Sequence, residues 1–369
     1  MFKTISINGY RGLKGIQLND LGHINVIVGA NNSGKTSVLE AIQLFESKDV
    51  LSNVVSIAKR RESQFITPIG RSRLLPFEMF LYSFDLHDKM SKEIYLEAET
   101  YEYGLCRVGV RGRFDKEFYL FEELSNSEAE RYEMYADENG YIRTLQGEYI
   151  YDMGRITEGN YSFRETQLKP ELSEKYGGSR MNLIRKKILY ISPMDIYTNK
   201  IISTSLYKGM LVEEKHRLIS LLRMFDDRIV NIENVMNHGT PAVWIEMEDC
   251  GLVPISVFGD GLKKVLTLAS AVVKMRNGVI LIDEFETGIH KRALVQVADW
   301  LAAVTERYNV QVFLTTHSSD AIEALVEAGQ DRADVKAYRL EHYKDQIYVK
   351  EFQGNDLYAF SRYQGMDIL

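Results

Sequence analysis

The stretch Ile24–Glu40, "INVIVGANNSGKTSVLE", decides how the rest of the chain is read. The apolar run "INVIV" reads as a buried strand, and Gly29-x-x-x-x-Gly34-Lys35-Thr36 follows it at once. "SVLEAIQLF" (Ser37–Phe45) then carries apolar residues at helical spacing. Strand, glycine-rich loop and helix in that order is the setting in which such a spacing has physical meaning. Glycines let backbone N–H groups converge on a phosphate without a Cβ in the way. Lys35 places a positive charge between β- and γ-phosphates, and the Thr36 hydroxyl is a ligand for Mg²⁺. The candidate cradle is Asn31, Asn32, Ser33, Gly34, Lys35, Thr36 and Ser37.

Outward from this loop, "FKTISI" and "GIQL" alternate and predict a short antiparallel edge before the buried strand. The last third alternates between strand and helix. "AVWIEMED" and "LVPISVF" predict a hairpin, "GLKKVLTLASAVVKM" a helix, "GVILIDE" a strand, "ALVQVADWLAAVTERY" a helix, "VQVFLTTH" a strand and "SDAIEALVEA" a helix. "VKAYRLEHY" and "QIYVKEF" close with a second hairpin, while "KKILYISP" reads as a buried strand and "LVEEKHRLISLLRMF" as a helix. Such alternation implies a mainly parallel sheet covered on both faces. Residues 91–165 differ, being tyrosine-rich, locally acidic and strand-like, and predict antiparallel hairpins. The expected organisation is 1–90 and 181–369 as two parts of one α/β P-loop domain, with 91–180 an inserted β-rich lobe.

Two apolar runs end in polar residues that suit phosphate chemistry. "GVILIDE" ends in Asp283, placed to hold Mg²⁺ at the ligand side of a parallel sheet, and in Glu284, placed to polarise a water for in-line attack. "FLTTHS" ends in His317, within reach of a γ-phosphate or the attacking water. A further turn, Gly259-Asp260-Gly261 in "SVFGDGLKKVLTLA", opens a helix and suits an anion, yet it lacks the lysine of a phosphate loop.

Phosphate loop, glycine turn opening a helix, Asp-Glu after a strand and His after the next strand: this order resembles the ABC-class ATPase head. "GDGLKKVL…GVILIDEFETGIH…VQVFLTTHS" is similar to the ATPases grouped with the OLD (overcoming lysogenization defect), RecF and SMC proteins. The opening "FKTISINGYRGLKGIQL" is similar as well, and the resemblance covers residues 1–50 and 185–345. It implies an ABC-type head with ATP and Mg²⁺ as cofactors, with Lys35, Glu284 and His317 catalytic and with Thr36 and Asp283 on the metal. The second turn is then a signature motif acting in trans. Each copy's Gly259–Gly261 would cap ATP on the other copy's loop, in a homodimer or higher oligomer. The family's signature serine falls at Gly259, so a hydroxyl donor is missing, and Asp260 would repel a triphosphate unless paired. Slow hydrolysis, dependent on a partner, is the expectation. Glu286 and His290 lie where the family has its D-loop, either touching the partner copy or starting a helix. The glutamine loop is not located; "RSRLLPFEMFLYSFD" occupies its interval. Related standalone heads sit beside toxins or nucleases in bacterial defence, which implies an effector partner and a sensor or switch role. The alternative is a DNA-repair or DNA-organising ATPase.

Composition limits these readings. With 369 residues, 45 Lys+Arg and 52 Asp+Glu, the net charge of −7 makes no global case for nucleic acid. Local basic clusters exist at Lys59, Arg60, Arg61, Arg71 and Arg73 and at Arg180, Arg185, Lys186 and Lys187. Two cysteines are too few for a disulfide framework, and no apolar run approaches the ~20 residues of a membrane span, so a cytoplasmic protein is expected. An additional nuclease domain has little room, since only about 50 residues follow His317. A transport ATPase subunit would carry a smaller helical insert.

Overall fold

The computed structural model describes residues 1–63, 76–84, 91–118, 135–176, 186–197, 212–237, 240–329, 334–344, 346–353 and 356. Two compact units emerge: Met1, Leu18–Leu39 and Lys187–Leu369 form one, and Phe2–Gln17 with Glu40–Lys186 form the other.

The first unit is built on a six-stranded sheet. Its strands are β3 (Ile24–Gly29), β9 (Ile188–Ile191), β13 (Val279–Ile282), β14 (Gln311–Thr315), β15 (Val335–Tyr343) and β16 (Gln346–Gln353), in the order β16-β15-β3-β14-β13-β9. From β15 to β9 every pairing is parallel; only β16 runs antiparallel, as a hairpin on β15. Every residue of β3, β13 and β14 is buried. That is why these runs are continuously apolar rather than alternating: a parallel sheet covered on both faces has no wet side. A three-stranded antiparallel sheet of β10 (Ile229–Asn237), β11 (Thr240–Met247) and β12 (Gly251–Pro254) extends the predicted hairpin by one strand.

Among its described residues this unit also holds the helices α4 (Val212–Leu222), α5 (Asp260–Lys274), α6 (Lys291–Tyr308) and α7 (Ser319–Gly329). One core joins β3, β13 and β14 to α4–α7 and β10–β12, including Val265, Leu266, Leu294, Leu301 and Leu325. Helix α6 is capped at both ends. His290 Nδ1 accepts the Arg292 N–H at the start, and Asn309 takes a left-handed φ of 51° at the finish.

The second unit carries a seven-stranded sheet in the order β2-β1-β4-β5-β6-β7-β8, antiparallel from β1 to β8. Its strands are β1 (Phe2–Asn8), β2 (Ile16–Leu18), β4 (Ser91–Thr100), β5 (Gly104–Phe118), β6 (Tyr141–Asp152), β7 (Ile156–Arg164) and β8 (Glu171–Tyr176). Helices α2 (Val50–Ser63) and α3 (Pro76–Leu81) belong to the same unit, and helix α1 (Lys35–Gln43) contains the sequence position where the units divide. Alternate residues Cys106, Val108 and Val110 of β5 are buried, as a half-covered antiparallel strand requires. The strands come close through glycines that aromatic rings cover. Tyr161 lies opposite Gly147 on the neighbouring strand, and its hydroxyl occupies the space 2.3 Å from where a Gly112 Cβ would stand. Tyr149 lies opposite Gly159 in the same manner, its ring 2.9 Å from a Cβ there.

Of the described members of the basic clusters, Lys59 and Lys187 are exposed, Arg60 and Arg61 are half-buried and Lys186 is buried. Arg61 and Arg11 grip the buried Glu40 carboxylate at 2.7 and 3.2 Å, and Arg60 donates to Gln43. Lys186 is buried against Glu102 at 3.0 Å and lies over the Phe2 ring. Arg71, Arg73, Arg180 and Arg185 lie outside the described residues, as does most of the "RSRLLPFEMFLYSFD" interval's first half.

Candidate functional site

The loop after β3 is shaped by three left-handed residues, Gly29 (φ 146°), Asn32 (64°) and Gly34 (95°). A Cβ at Gly29 would stand 2.7 Å from the Leu340 carbonyl and 2.8 Å from Ser33 Oγ, so glycine is obligatory there. At the head of α1, Lys35 folds back and donates to the Gly29 and Ala30 carbonyls, each at 2.8 Å. Burial lowers its pKa, and the fields of Asp283, Glu286 and Glu284 oppose that shift. Ser33 Oγ is buried without a hydrogen-bond partner, a donor that an anion in the loop could satisfy.

Strand β14 lies between β3 and β13, so the ends of all three meet at one sheet edge. Thr36 Oγ1 stands 3.1 and 3.2 Å from the two Asp283 carboxylate oxygens. Asp283 also accepts from Thr315 Oγ1 at 2.6 Å and from the Tyr190 hydroxyl at 2.9 Å. The next residue, Glu284, takes a left-handed φ of 49°, which turns its side chain away from that of Asp283. Its N–H donates to Thr315 Oγ1, and its carboxylate accepts from Thr287 Oγ1 at 3.0 Å. His317 is half-buried, and its N–H donates to Glu286 Oε1 at 2.8 Å. Lys35, Thr36, Asp283, Glu284 and His317 are thus gathered at one edge.

The Gly259–Gly261 turn has its own contacts. Gly259 caps α5 in extended geometry (φ −67°, ψ 163°), with nothing near its Cβ position. Asp260 accepts the Tyr197 hydroxyl at 2.6 Å and faces Lys263 Nζ at 3.6 Å, so its charge is paired within the chain. Gly261 packs on Phe225 and the Gly288 carbonyl. Around the turn Val257, Tyr197 and Met194 are 70, 55 and 48% exposed. His290, one of the two open positions after Glu284, serves as a helix cap, and Glu286 serves as the tether of His317.

Thr315, Tyr190, Thr287 and Tyr197 escaped the sequence reading because lone hydroxyls near strand ends carry no motif. The doubled threonine of "FLTTHS" was the available signal. Among the described residues no group of three or more His, Cys, Asp or Glu forms a metal cage. A hydroxyl beside one carboxylate instead suits Mg²⁺, which keeps waters and takes phosphate oxygens as its other ligands.

Loop, acidic strand end, strand-end histidine and glycine turn together define a P-loop ATPase of the ABC class. The chain belongs to the family described as "AAA domain, putative AbiEii toxin, Type IV TA system", whose model matches residues 24–323. It is similar to an ATP/GTP phosphatase of Helicobacter pylori, 24% identical over 88% of this chain and 87% of that protein. A 47-residue segment is 49% identical to part of an uncharacterised Methanocaldococcus jannaschii protein, covering 13% of this chain and 22% of that one. Among solved structures it is similar to an SMC head domain from Thermotoga maritima, 13% identical over 96% of this chain and 99% of that one, with a TM-score of 0.44. The recombination mediator protein RecF is similar at 12% identity over 95% and 98% of the two chains, with a TM-score of 0.41.

Proposed function

We propose that the chain binds ATP on the Gly29–Ser37 loop and hydrolyses it, and that two copies close over two nucleotides to make a molecular switch. One observation carries the reading: the Thr36 hydroxyl and Asp283 carboxylate meet at 3.1 Å beside Lys35, with Glu284 and His317 at the same edge. Thr36 and Asp283 are the residues that would hold Mg²⁺, which would supply neutralisation of phosphate charge. Lys35 exchanges its two loop carbonyls for phosphate oxygens, and Ser33 gains the partner its hydroxyl lacks. Glu284 leaves Thr287 to orient a water and accept its proton as the water oxygen bonds to the γ-phosphorus; the bond from γ-phosphorus to the bridging oxygen breaks, and ADP and phosphate depart. His317, held through its N–H by Glu286, would contact the γ-phosphate.

The signature turn supports closure between copies. Asp260 is already paired, so it presents little free charge to a triphosphate, and the apolar surface around it suits a protein neighbour. Without a hydroxyl at Gly259, turnover by the isolated chain is slow, and a partner or trigger raises it. The family description names a toxin and a type IV TA system, which supports an effector of that kind as the switched partner, in defence against phage. Nucleic acid across closed heads is the weaker reading, because a net charge of −7 offers no general attraction to it and Arg61 and Lys186 are already paired with Glu40 and Glu102.

The test is Glu284→Gln. It should bind ATP with magnesium, fail to hydrolyse it and accumulate as a dimer by light scattering; a variant that stays monomeric at saturating ATP refutes closure. Lys35→Ala should lose nucleotide binding itself, and a comparison of ATP with GTP sets the substrate.

A further inference from the structure

Helix α5 contains a residue that its own packing does not call for. Leu262 and every residue from Lys264 to Val272 are buried, and Lys264 is fully enclosed. A leucine or methionine would fill this space without the cost of enclosing an ammonium group. The Lys264 ammonium donates to the Glu284 carbonyl at 3.3 Å, and it sits in the fields of Glu286, Asp283, Glu284 and Asp195. Glu284 is itself a residue in need of restraint. Its left-handed backbone is strained for a residue with a Cβ, and three further anchors hold it: Thr315 on its N–H, Thr287 N–H on its carbonyl and Thr287 Oγ1 on its carboxylate. Glu286 joins the same web. Its Oε1 holds the His317 N–H, and its Oε2 is buried with no hydrogen-bond partner.

We propose that Lys264 is a positioning residue: its buried ammonium fixes the Glu284 peptide, and through Glu286 the His317 turn, to the helix that begins at the Gly259–Gly261 turn. Lys264 lies about one helical turn beyond Gly261, a rise of roughly 4–5 Å on a rigid element. A displacement of the signature turn by a docking partner is therefore delivered to the peptide that aims the hydrolytic carboxylate. Nucleotide binding does not pass through this link, because the Walker loop keeps its own contacts. The proposal rests on the ATPase reading above.

The experiment compares wild type, Lys264→Met and Glu286→Gln in ATP turnover, ATP binding by a fluorescent analogue, and thermal unfolding. Lys264→Met should lower kcat at least tenfold with KM and binding within threefold of wild type, while Tm stays equal or rises, since a buried charge has been removed. A packing role would instead lower Tm and leave kcat in proportion to folded protein. Should Lys264→Met fail to fold, Glu286→Gln decides: a kcat loss of at least tenfold with unchanged KM keeps the link, and wild-type kcat overturns it. Wild-type kcat in a folded Lys264→Met overturns the link alone. A wild-type chain that binds ATP and never hydrolyses it overturns the ATPase reading, and the link with it.

Discussion

Two glycines in one turn should respond to substitution in opposite ways. At Gly261 a Cβ would stand 2.7 Å from Phe225 Cε1 and 3.0 Å from the Gly288 carbonyl oxygen. The ring is a side chain and can swing, but the carbonyl belongs to a loop whose Gly288 is itself left-handed at φ 82°. Relieving both contacts costs about 1–3 kcal/mol by analogy with overpacked cores. Alanine favours a helix over glycine by up to about 1 kcal/mol, less in the first turn, so Gly261→Ala should be destabilised by about 1–2 kcal/mol net. For a unit of this size that lowers Tm by roughly 2–8 °C. At Gly259 nothing lies within 4 Å of the Cβ position and φ is −67°. Serine fits there, is a preferred cap, and should change stability by no more than ~0.5 kcal/mol. Differential scanning calorimetry of both variants reads the contrast. A Gly261→Ala protein as stable as wild type, or more stable as helix propensity alone would make it, refutes the packing assigned to this turn. In the turnover assay Gly259→Ser should raise the rate if the signature hydroxyl is what the chain lacks.

Thr315→Val removes one donor to Asp283 and the acceptor of the Glu284 N–H. It should cost about 1–3 kcal/mol in urea unfolding and at least tenfold in turnover, and full activity would contradict the anchoring described. Tyr161→Phe removes a buried hydroxyl without a hydrogen-bond partner, so stability should hold or rise by about 1 kcal/mol, a fall in Tm being the opposing result. Burial lowers the Lys264 amine from 10.5 to about 8. Below pH 8 both folded and unfolded chains hold the proton and the penalty is complete. Between about 8 and 10.5 only the folded chain sheds it, so stability climbs with pH by something on the order of 2–3 kcal/mol. Lys264→Met should flatten that climb, as urea titrations at pH 7, 8, 9 and 10 would show.

The parts of the site that carry a motif were legible because each is forced by backbone geometry. A loop with left-handed turns at Gly29, Asn32 and Gly34 needs residues that tolerate them, and strands buried on both faces cannot hide their apolar runs. What escaped notice depends on partners distant in sequence. Strand β10, "IVNIENVMN", breaks alternation with three asparagines, and it is a strand because β11 pairs with it. Thr315 and Tyr190 acquire their meaning only when β13 brings Asp283 between them. Lys264 reads as one of two lysines on a wet helix face. The signal against that was the unbroken run "VLTLASAVV" just after it, which marks a helix enclosed all round.

The tyrosines that roof glycines in the seven-stranded sheet tie distant positions into interdependent sets. A lineage that gives Gly112 a side chain must shrink residue 161 in the same stroke, and one that fills Gly159 must give up the ring at 149 and shift the Ser173 carbonyl as well. Across relatives these places should therefore change in step, so that their correlated drift would trace the strand register without any coordinates.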